Sequence, residues 1–373
     1  VDMHNGDYRL SDYSPSIGTG TSDDAPLVDL DGNERPQPDG SNPDMGAYEN
    51  PLGERLTGAT YFISTTGSDS SNGQESTPYK TIQHGINAAW YGDTVLIAPG
   101  VYDEAVEVIG KNIALGSYFI TTQDTNYIEQ TVITGGLNVE GLDSTSYVGG
   151  LSIKDNPVGF YMLNSDGLRS SHMHIENSRG ITIDDSDVEL SEFVIFGNLR
   201  AYTSNEFFKR GGGVLIRDSN VEIVNALIDS NHSYATSNGG GLNSENSSIF
   251  LDNVIVSRNI GGNGAGAYFT GSIQDSVFIT NSSFTLNVQS SDGYLGGGIY
   301  KGSDLFLSLD NITVNNNQAS YGGGIYSSGS FIAQQSTFND NIGIDNDWDN
   351  GSGGGLFLSG YSNQPILIDR CLI

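Results

Sequence analysis

One phrase recurs six times between Ile195 and Ile373, and it limits the folds open to this chain more than any other feature. Each copy has an aliphatic or aromatic residue, two variable residues and an asparagine, followed after a variable loop by a glycine triplet and an apolar pair. The asparagines are Asn198, Asn231, Asn259, Asn287, Asn317 and Asn341, which stand 33, 28, 28, 30 and 24 residues apart. The triplets lie at 211–213, 239–241, 264–266 (with Ala265 in the middle), 296–298, 322–324 and 353–355. This period is typical of stacked supersecondary units, so the sequence predicts a solenoid.

The segments between the asparagines alternate between apolar and polar residues, as at 221–228, 249–256 and 305–312, and show no helical period. Coils of about 25 to 30 residues, each with two or three short strands and stacked at roughly 4.8 Å per coil, form a parallel β-helix. The predicted fold class is therefore all-β, a right-handed parallel β-helix. Asparagine and glycine tolerate the left-handed backbone region, so we predict that the recurring ones are structural turn residues.

Composition excludes some classes of partner. The formal net charge is −30, from 15 Lys and Arg against 45 Asp and Glu, which disfavours binding to nucleic acid and to anionic membranes. So acidic a surface favours an exterior rich in divalent cations. The single cysteine, Cys371, excludes a disulfide framework, and no apolar run is long enough for direct membrane insertion.

Residues 1–57 carry two distinctive phrases, Asp-Leu-Asp-Gly-Asn-Glu-Arg-Pro at 29–36 and Asp-Met-Gly-Ala-Tyr-Glu at 44–49. They resemble the closing segment of bacterial right-handed β-helix surface proteins. This resemblance implies that residues 1–57 close a preceding or neighbouring β-helix. Arg35 could pair with Glu49 or Asp44, and we predict that this clasp holds a strand-poor segment in place rather than binding a ligand.

Residues 58–373 are predicted to form one β-helix. The phrases Tyr-Lys-Thr-Ile-Gln at 79–83, Gly-Asp-Thr-Val at 92–95 and Pro-Gly-Val-Tyr at 99–102 resemble the N-terminal part of pectate-lyase-like right-handed β-helix proteins. The resemblance implies that a short amphipathic helix near 79–91 caps the N-terminal end of the stack. Residues 120–190 are expected to continue the coils with a noisier period.

The repeats after residue 190 resemble those of polymorphic outer membrane proteins and autotransporter-like adhesins. Residues 370–373 align with 335–338, which suggests an unfinished last coil. We therefore expect a piece of a tandem array, or a subunit whose open end is completed by residues 1–57 of the next copy. The predicted partners are neighbouring copies placed head to tail or adjacent domains of a longer chain, with glycans as a further partner class. The predicted location is secreted or on a bacterial cell surface.

Motifs for chemistry are sparse. The Arg-x-Pro-x-x-Arg phrase of pectate lyases and the paired-Asp phrases of galacturonan hydrolases are missing. Segments 100–104, 123–125 and 193–198 each resemble a phrase of pectin methylesterases, but Glu192 stands one position too early for the nucleophile and the Arg-Pro-Trp element is missing. The sequence thus does not decide whether the protein is an enzyme, but it favours a protein without enzymatic activity.

Two groups of residues are candidate sites for glycans. His172, His174 and Glu176 alternate along one predicted strand and so share a face, which could bind a metal or a sugar. Lys154 and Arg169 are the basic residues nearby. Lys154, Arg169, His172 and His174 are the alternative lyase site, against the simpler interpretation of a solvated strand face. Phe207, Phe208, Lys209 and Arg210 place two aromatic residues beside two cations and are a candidate glycan contact. A loop folded back onto its own coil is the ordinary explanation.

Calcium is the predicted metal. Asp345, Asp347 and Asp349 alternate in a loop that ends at Gly351, similar to the start of an EF-hand loop without its bidentate Glu. Asp29, Asp31 and Asn33 form a shorter version. The alternative is that these are ordinary solvated turn residues.

The sequence thus favours a non-enzymatic extracellular structural or adhesion module, a rigid and calcium-stabilised segment of a filamentous surface assembly. The alternative is a carbohydrate-active enzyme, chiefly a polysaccharide lyase acting on acidic glycans. Three or more carboxylates within about 6 Å of one another and of an Arg or Lys, in a groove, would favour the enzyme.

Overall fold

The computed structural model describes residues 8–10, 12–200, 211–233, 238–290, 295–302, 304–344, 353–359 and 365–373. Two compact units make up the chain, Val1–Ala98 with Lys111–Leu115, and Pro99–Gly110 with Gly116–Ile373. The predicted boundary after residue 57 lies inside the first unit and stays a prediction.

The first unit contains strand β1 (Thr60–Ile63), helix α1 (Ile82–Ala88) and strand β2 (Thr94–Ile97). The helix predicted near 79–91 is therefore present. Thr81 caps it, because its hydroxyl accepts a hydrogen bond from the backbone N–H of His84. Gly85 lets the helix approach β1 closely, since a Cβ at this position would lie 2.4 Å from Cδ1 of Ile63.

The remaining elements follow in chain order. They are β3 (Gly100–Tyr102), β4 (Val106–Ile109), β5 (Ala114–Ser117), α2 (Phe119–Thr122), α3 (Asn126–Gln130), β6 (Thr131–Ile133), β7 (Leu137–Glu140), β8 (Tyr147–Lys154), β9 (Phe160–Leu163), β10 (Asp166–Glu176), β11 (Ile181–Asp184), β12 (Asp187–Ser191), β13 (Val194–Phe196), β14 (Leu199–Arg200), β15 (Val214–Arg217), β16 (Asn220–Asp229), β17 (His232–Ser233), β18 (Leu242–Glu245), β19 (Ser248–Ser257), β20 (Ile260–Gly261), β21 (Ala267–Thr270), β22 (Ser276–Thr280), β23 (Ser283–Thr285), β24 (Val288–Gln289), β25 (Ile299–Lys301), β26 (Phe306–Asp310), β27 (Thr313–Asn315), β28 (Gln318–Ala319), β29 (Ile325–Ser328), β30 (Phe331–Gln334), β31 (Ile342–Gly343), β32 (Leu356–Ser359) and β33 (Ile366–Asp369).

Strands of successive coils pair in parallel and form three sheets in the second unit. Among the described residues, one sheet has ten strands, ordered β4, β7, β9, β11, β15, β18, β21, β25, β29 and β32, and another has six, ordered β14, β17, β20, β24, β28 and β31. Within the second unit, the largest sheet includes strands from β3 to β33. The strand registers place equivalent residues of successive coils next to one another. Val214, for example, lies between Ile181 and Leu242 in the ten-stranded sheet. The predicted all-β parallel β-helix is confirmed.

The recurring asparagines form a continuous buried ladder. Oδ1 of Asn231 accepts hydrogen bonds from the backbone N–H and from Nδ2 of Asn198, at 3.1 and 2.9 Å. Nδ2 of Asn231 donates back to the carbonyl of Ile195. The same three bonds recur in each coil as far as Asn341, and Ser178 starts the ladder by donating to Asn198. Each coil is therefore tied to the next at one fixed register.

The glycine triplets leave room for this ladder. The first glycine of each triplet has a positive φ, between 58° and 70°, where a side chain is unfavourable. The third glycine faces the ladder, because a Cβ on Gly241 would lie 2.8 Å from Nδ2 of Asn259. Both residue types are structural, as predicted, but the left-handed conformation holds for the glycines and not for the ladder asparagines. The residue before each asparagine has the positive φ instead, namely Gly197, Ser230, Arg258, Leu286, Asn316 and Asp340. The asparagines act through their ladder bonds.

The largest sheet contains a second column of left-handed residues. Glu192, Asn225, Asn253, Asn281, Asn311 and Gln335 occupy equivalent positions, with φ from 49° to 57°. Asn253 donates to Asn225 at 2.8 Å, and Asn225 donates to Glu192 at 2.7 Å. Asparagine is common in this column because its short polar side chain tolerates the left-handed region.

Aromatic rings stack along the outer face of the ten-stranded sheet. Tyr268, Tyr300, Tyr326 and Phe357 lie at one register position of successive strands. Their centroids are 4.8, 5.4 and 5.1 Å apart, with nearly parallel planes. The stack therefore follows the spacing between coils.

The expectation that residues 120–190 continue the coils is wrong at its start, where the chain forms α2 and α3. This helical segment packs on β8, whose outer face carries Gly149 and Gly150. Phe119 lies directly over Gly150, where a Cβ would come within 2.8 Å of the ring. The missing side chain of Gly150 thus lets α2 lie against β8.

One charged residue occupies a core position. Lys301 lies in register between Phe269 and Ser327 and is fully buried. Its Nζ donates to the carbonyl of Ser328. Burial lowers the pKa of Lys301 to about 8.

Replacing Asn259 with Ala tests the ladder. The change removes two bonds that Asn259 accepts from Asn231, one that it donates to Ile228 and one that it donates to Asn287. Because buried groups lose their partners, we expect about 3 kcal/mol of destabilisation in urea unfolding followed by circular dichroism. The control is Asn253→Gly, an exposed left-handed position, with an expected loss below about 1 kcal/mol. Equal losses in the two variants would argue against the ladder.

Lys301 predicts a stability change at alkaline pH. The unfolded side chain keeps a pKa near 10.5, so between about pH 8 and 10.5 the unfolded state binds more protons than the folded state. Stability of the wild type relative to Lys301→Met should rise through this window, by up to about 3 kcal/mol. Thermal unfolding at a series of pH values measures it, with Lys80→Met as the exposed control. A constant difference across the window would contradict a buried charge.

Candidate functional site

Four charged or titratable side chains meet on the outside of β8 and β10, and we call them the β8–β10 cluster. They are Glu129 from α3, Lys154 from β8, and His174 and Glu176 from β10. Nζ of Lys154 lies 2.5 Å from Oε2 of Glu129 and 3.2 Å from Oε2 of Glu176. Nδ1 of His174 contacts Oε1 of Glu129. The cluster arises because Lys154 and Glu176 are direct neighbours across the two strands.

The electrostatics of the cluster favour the charged forms of Glu129 and Lys154. Partial burial raises the pKa of Glu129, but its hydrogen bonds to Lys154 and His174 outweigh this effect and lower it overall. Partial burial lowers the pKa of Lys154, but its bonds to Glu129 and Glu176 raise it overall. A lysine held in its ammonium form is a poor general base, so the pairs fasten α3 to the sheet more readily than they abstract a proton.

The other two residues of the alternative lyase site have different surroundings. His172 adopts a left-handed conformation, with φ of 55°, and its ring lies 4.4 Å from that of Phe119. Burial lowers the pKa of His172. Arg169 donates to the carbonyl of Ser144 at 3.1 Å. The structure thus brings together Lys154 and His174 and leaves His172 and Arg169 with separate partners.

In the first unit, Arg35 pairs with Glu49, one of the two partners the sequence offered. Nε of Arg35 lies 2.7 Å from Oε1 of Glu49, and both side chains are buried. Glu49 also accepts hydrogen bonds from the backbone N–H groups of Gln37 and Asp44. The carboxylate of Asp44 instead accepts from Gly18 and Asn50, and burial raises the pKa of Asp44. The pair therefore fixes the turns of the segment.

The shorter calcium candidate also has an internal role. The carboxylate of Asp29 accepts N–H bonds from Asp31, from the backbone and side chain of Asn33, and from Glu49, all between 2.8 and 3.0 Å. These bonds, chiefly the one from Glu49, hold the pKa of Asp29 far below its usual value. Asp31 pairs with Arg9 at 2.8 Å. The oxygens of Asp29 that a calcium ion would need are thus occupied by donors.

The described residues contain no group of three or more His, Cys, Asp or Glu side chains placed to hold a metal ion. The longer calcium candidate and the aromatic and basic loop lie outside the described residues. They comprise Asp345, Asp347 and Asp349, and Phe207, Phe208, Lys209 and Arg210. Calcium binding and glycan contact there stay predictions.

Sequence reasoning missed a shallow groove on the outer face of the largest sheet, and we call it the β12–β22 groove. Its central column is formed by Glu189, Glu222, Phe250 and Phe278, which lie opposite one another on β12, β16, β19 and β22. The groove encloses about 340 Å³. A neighbouring column lines one side and contains Asp187, Asn220, Ser248 and Ser276.

The alternation of buried and exposed residues along each strand predicts that these side chains point away from the core. Their alignment into one column could not be predicted, because the loops between coils differ in length.

Comparisons with known proteins found one family profile and several solved structures. A family profile described as "Protein of unknown function (DUF1565)" matches residues 65–110. No curated protein sequence matches the chain. Similar solved structures include a pectin methylesterase in complex with a hexasaccharide (12% identity, 83% of this chain and 94% of that chain, TM-score 0.42), the endo-xylogalacturonan hydrolase from Aspergillus tubingensis (12%, 84% and 92%, 0.40) and a pectate lyase (12%, 83% and 78%, 0.37). The strand registers establish the parallel β-helix, and no activity follows from these similarities.

Within the described part of the chain, none of the helices has the length and apolar character needed to cross a membrane.

Replacing Glu129 with Gln tests the role of the β8–β10 cluster. Since the folded pKa of Glu129 lies below the usual value of 4.5, its ionic bonds add stability above about pH 4.5 and lose it as the pH falls. We expect Glu129→Gln to cost about 0.5 to 1 kcal/mol at neutral pH, given the partial exposure of the carboxylate, and less in acid. Thermal unfolding at both pH values measures this, with the exposed Glu75→Gln as control. A loss that persists unchanged in acid would exclude an ionic origin.

Proposed function

We propose that this chain is a non-enzymatic structural and adhesion module, a rigid segment of an extracellular assembly on a bacterial surface. The uninterrupted coil-to-coil register of the second unit carries the proposal. From Ser178 to Asn341 each coil is bonded to the next through buried side chains as well as strands. Such a repeat is stabilised by nearest-neighbour interfaces, which suits a spacer or stalk.

In the proposed assembly, a neighbouring copy would contact the apolar rung of β33. Ile366 and Ile368 stack on Phe331 and Ala333, which are fully buried one coil earlier. The two isoleucines keep 44% and 38% of their surface exposed. A neighbouring copy placed head to tail would bury them.

The runner-up is a carbohydrate-active enzyme of the polysaccharide lyase type, which acts on acidic glycans. The observation in its favour is the outward cluster of Lys154, His174 and two glutamates. Among the described residues, two carboxylates, those of Glu129 and Glu176, lie within 4 Å of Nζ of Lys154, and both form ion pairs with it. The bonding of Lys154 thus supports the structural role over proton abstraction. Stabilisation by calcium and a secreted or cell-surface location belong to the same proposal.

The two functions differ in one assay. Incubation of the protein with a panel of uronate polymers, with and without added calcium, should give no unsaturated product by ultraviolet absorbance. Sedimentation should detect concentration-dependent self-association that Ile368→Glu weakens, because the charge would be buried in a stacked coil. Robust turnover that Lys154→Met abolishes would establish the lyase instead. Self-association that is absent in the wild type would remove head-to-tail assembly of copies and leave the tandem-chain version.

A further inference from the structure

The β12–β22 groove has the features of a binding surface. Phe250 and Phe278 keep 38% and 42% of their surface exposed, side by side on adjacent strands. Phe306 joins them on the next strand, with its ring 5.8 Å from that of Phe278. Neighbouring aromatic rings that are exposed in a concave patch favour ligand contact.

Charge narrows the class of ligand. Glu189 and Glu222 continue the aromatic column, and Asp187 lies beside them, all three exposed. The residues that line the groove include no Lys, Arg or His. Arg169 is the neighbour of Glu189 on β10, but its guanidinium donates to Ser144. In a chain of net charge −30, this groove repels uronates and attracts cations.

The groove offers side chains and no free strand edge. Its floor is the face of a sheet whose backbone groups are paired between coils, so a peptide cannot bind by adding a strand. The column beside the aromatic residues instead supplies small polar groups, Asn220, Ser248 and Ser276. Hydroxyl and amide groups next to exposed rings suit a ligand that presents both apolar faces and many hydroxyls.

We propose that the β12–β22 groove binds a glycan of amino sugars with free ammonium groups. The ammonium groups pair with Glu189 and Glu222, the apolar faces of the sugar rings lie on Phe250 and Phe278, and the sugar hydroxyls bond to Ser248 and Ser276. Four positions of the column span roughly 15 Å at the usual spacing between strands, enough for several linked rings along the stack. This inference rests on the adhesion role proposed above and names its ligand class.

The test is titration calorimetry with a β-1,4-linked glucosamine hexamer at mildly acidic pH. The N-acetylated hexamer, hexagalacturonate and hexalysine serve as comparison probes. The glucosamine hexamer should bind at least about tenfold more tightly than its N-acetylated form, because acetylation removes the charge. Added salt should weaken its binding.

Matched variants separate the groove from the rest of the surface. Glu222→Gln should weaken glucosamine binding about fivefold, and Phe250→Ala about tenfold. Glu140→Gln and Phe357→Ala make the same changes on the ten-stranded sheet and should leave binding unaltered. Circular dichroism of each variant checks that the coils remain folded.

Several results would overturn the inference. They are no binding of the glucosamine hexamer, equal binding of the N-acetylated hexamer, tighter binding of hexagalacturonate, or insensitivity to both groove variants. Hexalysine binding that matches the glucosamine hexamer and ignores Phe250→Ala would assign the groove to a basic peptide. The proposed module role is tested separately. Turnover of a glycan would refute the module role even if the groove binds the glucosamine hexamer. If the groove has no affinity and the protein shows no turnover, only the proposed ligand class is refuted.

Discussion

The register between coils is the constraint on which the second unit depends, and the buried asparagine ladder sets it. Each asparagine bonds to the coils on both sides, so a shift of one residue would break three bonds and turn the core residues outward. The glycines are coupled to this ladder, because the third glycine of a triplet faces an asparagine side chain. The ladder asparagines and the triplet glycines therefore depend on each other, because the asparagine side chains need the space that the glycines leave.

Sequence periodicity was enough to predict the fold, because the asparagines and glycines recur from coil to coil. Few other residue types could make the same hydrogen bonds or adopt the same backbone conformation. The features between the repeats were not predictable in the same way. The packing of helix α2 depends on the missing side chain of Gly150, which matters only once β8 lies beside Phe119. The groove depends on four residues that are 28 to 33 positions apart and are aligned by loops of unequal length. The Arg35 and Glu49 pair was accessible from sequence because both residues belong to one short segment.

The acidic residues serve three different purposes. Asp29 and Asp44 organise turns by accepting backbone N–H bonds, which a neutral side chain would do less well. Glu49 and Glu129 pair with cations that hold a segment in place. Glu189 and Glu222 face solvent in the groove, and like charges one rung apart cost stability. Only the third group lacks a structural explanation, which is why the groove, rather than the net charge, carries the argument for a ligand.

A rigid stack has a consequence for recognition. Side chains on its outer face recur at the spacing of the coils, as the ring stack of Tyr268, Tyr300, Tyr326 and Phe357 illustrates. A repeating ligand laid along the stack therefore meets a repeating surface without any loop having to order itself, so little conformational entropy is lost on binding. On the ten-stranded sheet the aromatic rings stack face to face and cover one another. In the groove, the column of Phe250 and Phe278 continues with carboxylates instead of rings, and both phenylalanines keep much of their surface exposed. The same architecture thus gives one face whose aromatic rings pack on one another and another, the β12–β22 groove, whose rings remain exposed. A partner gains new contacts at the groove.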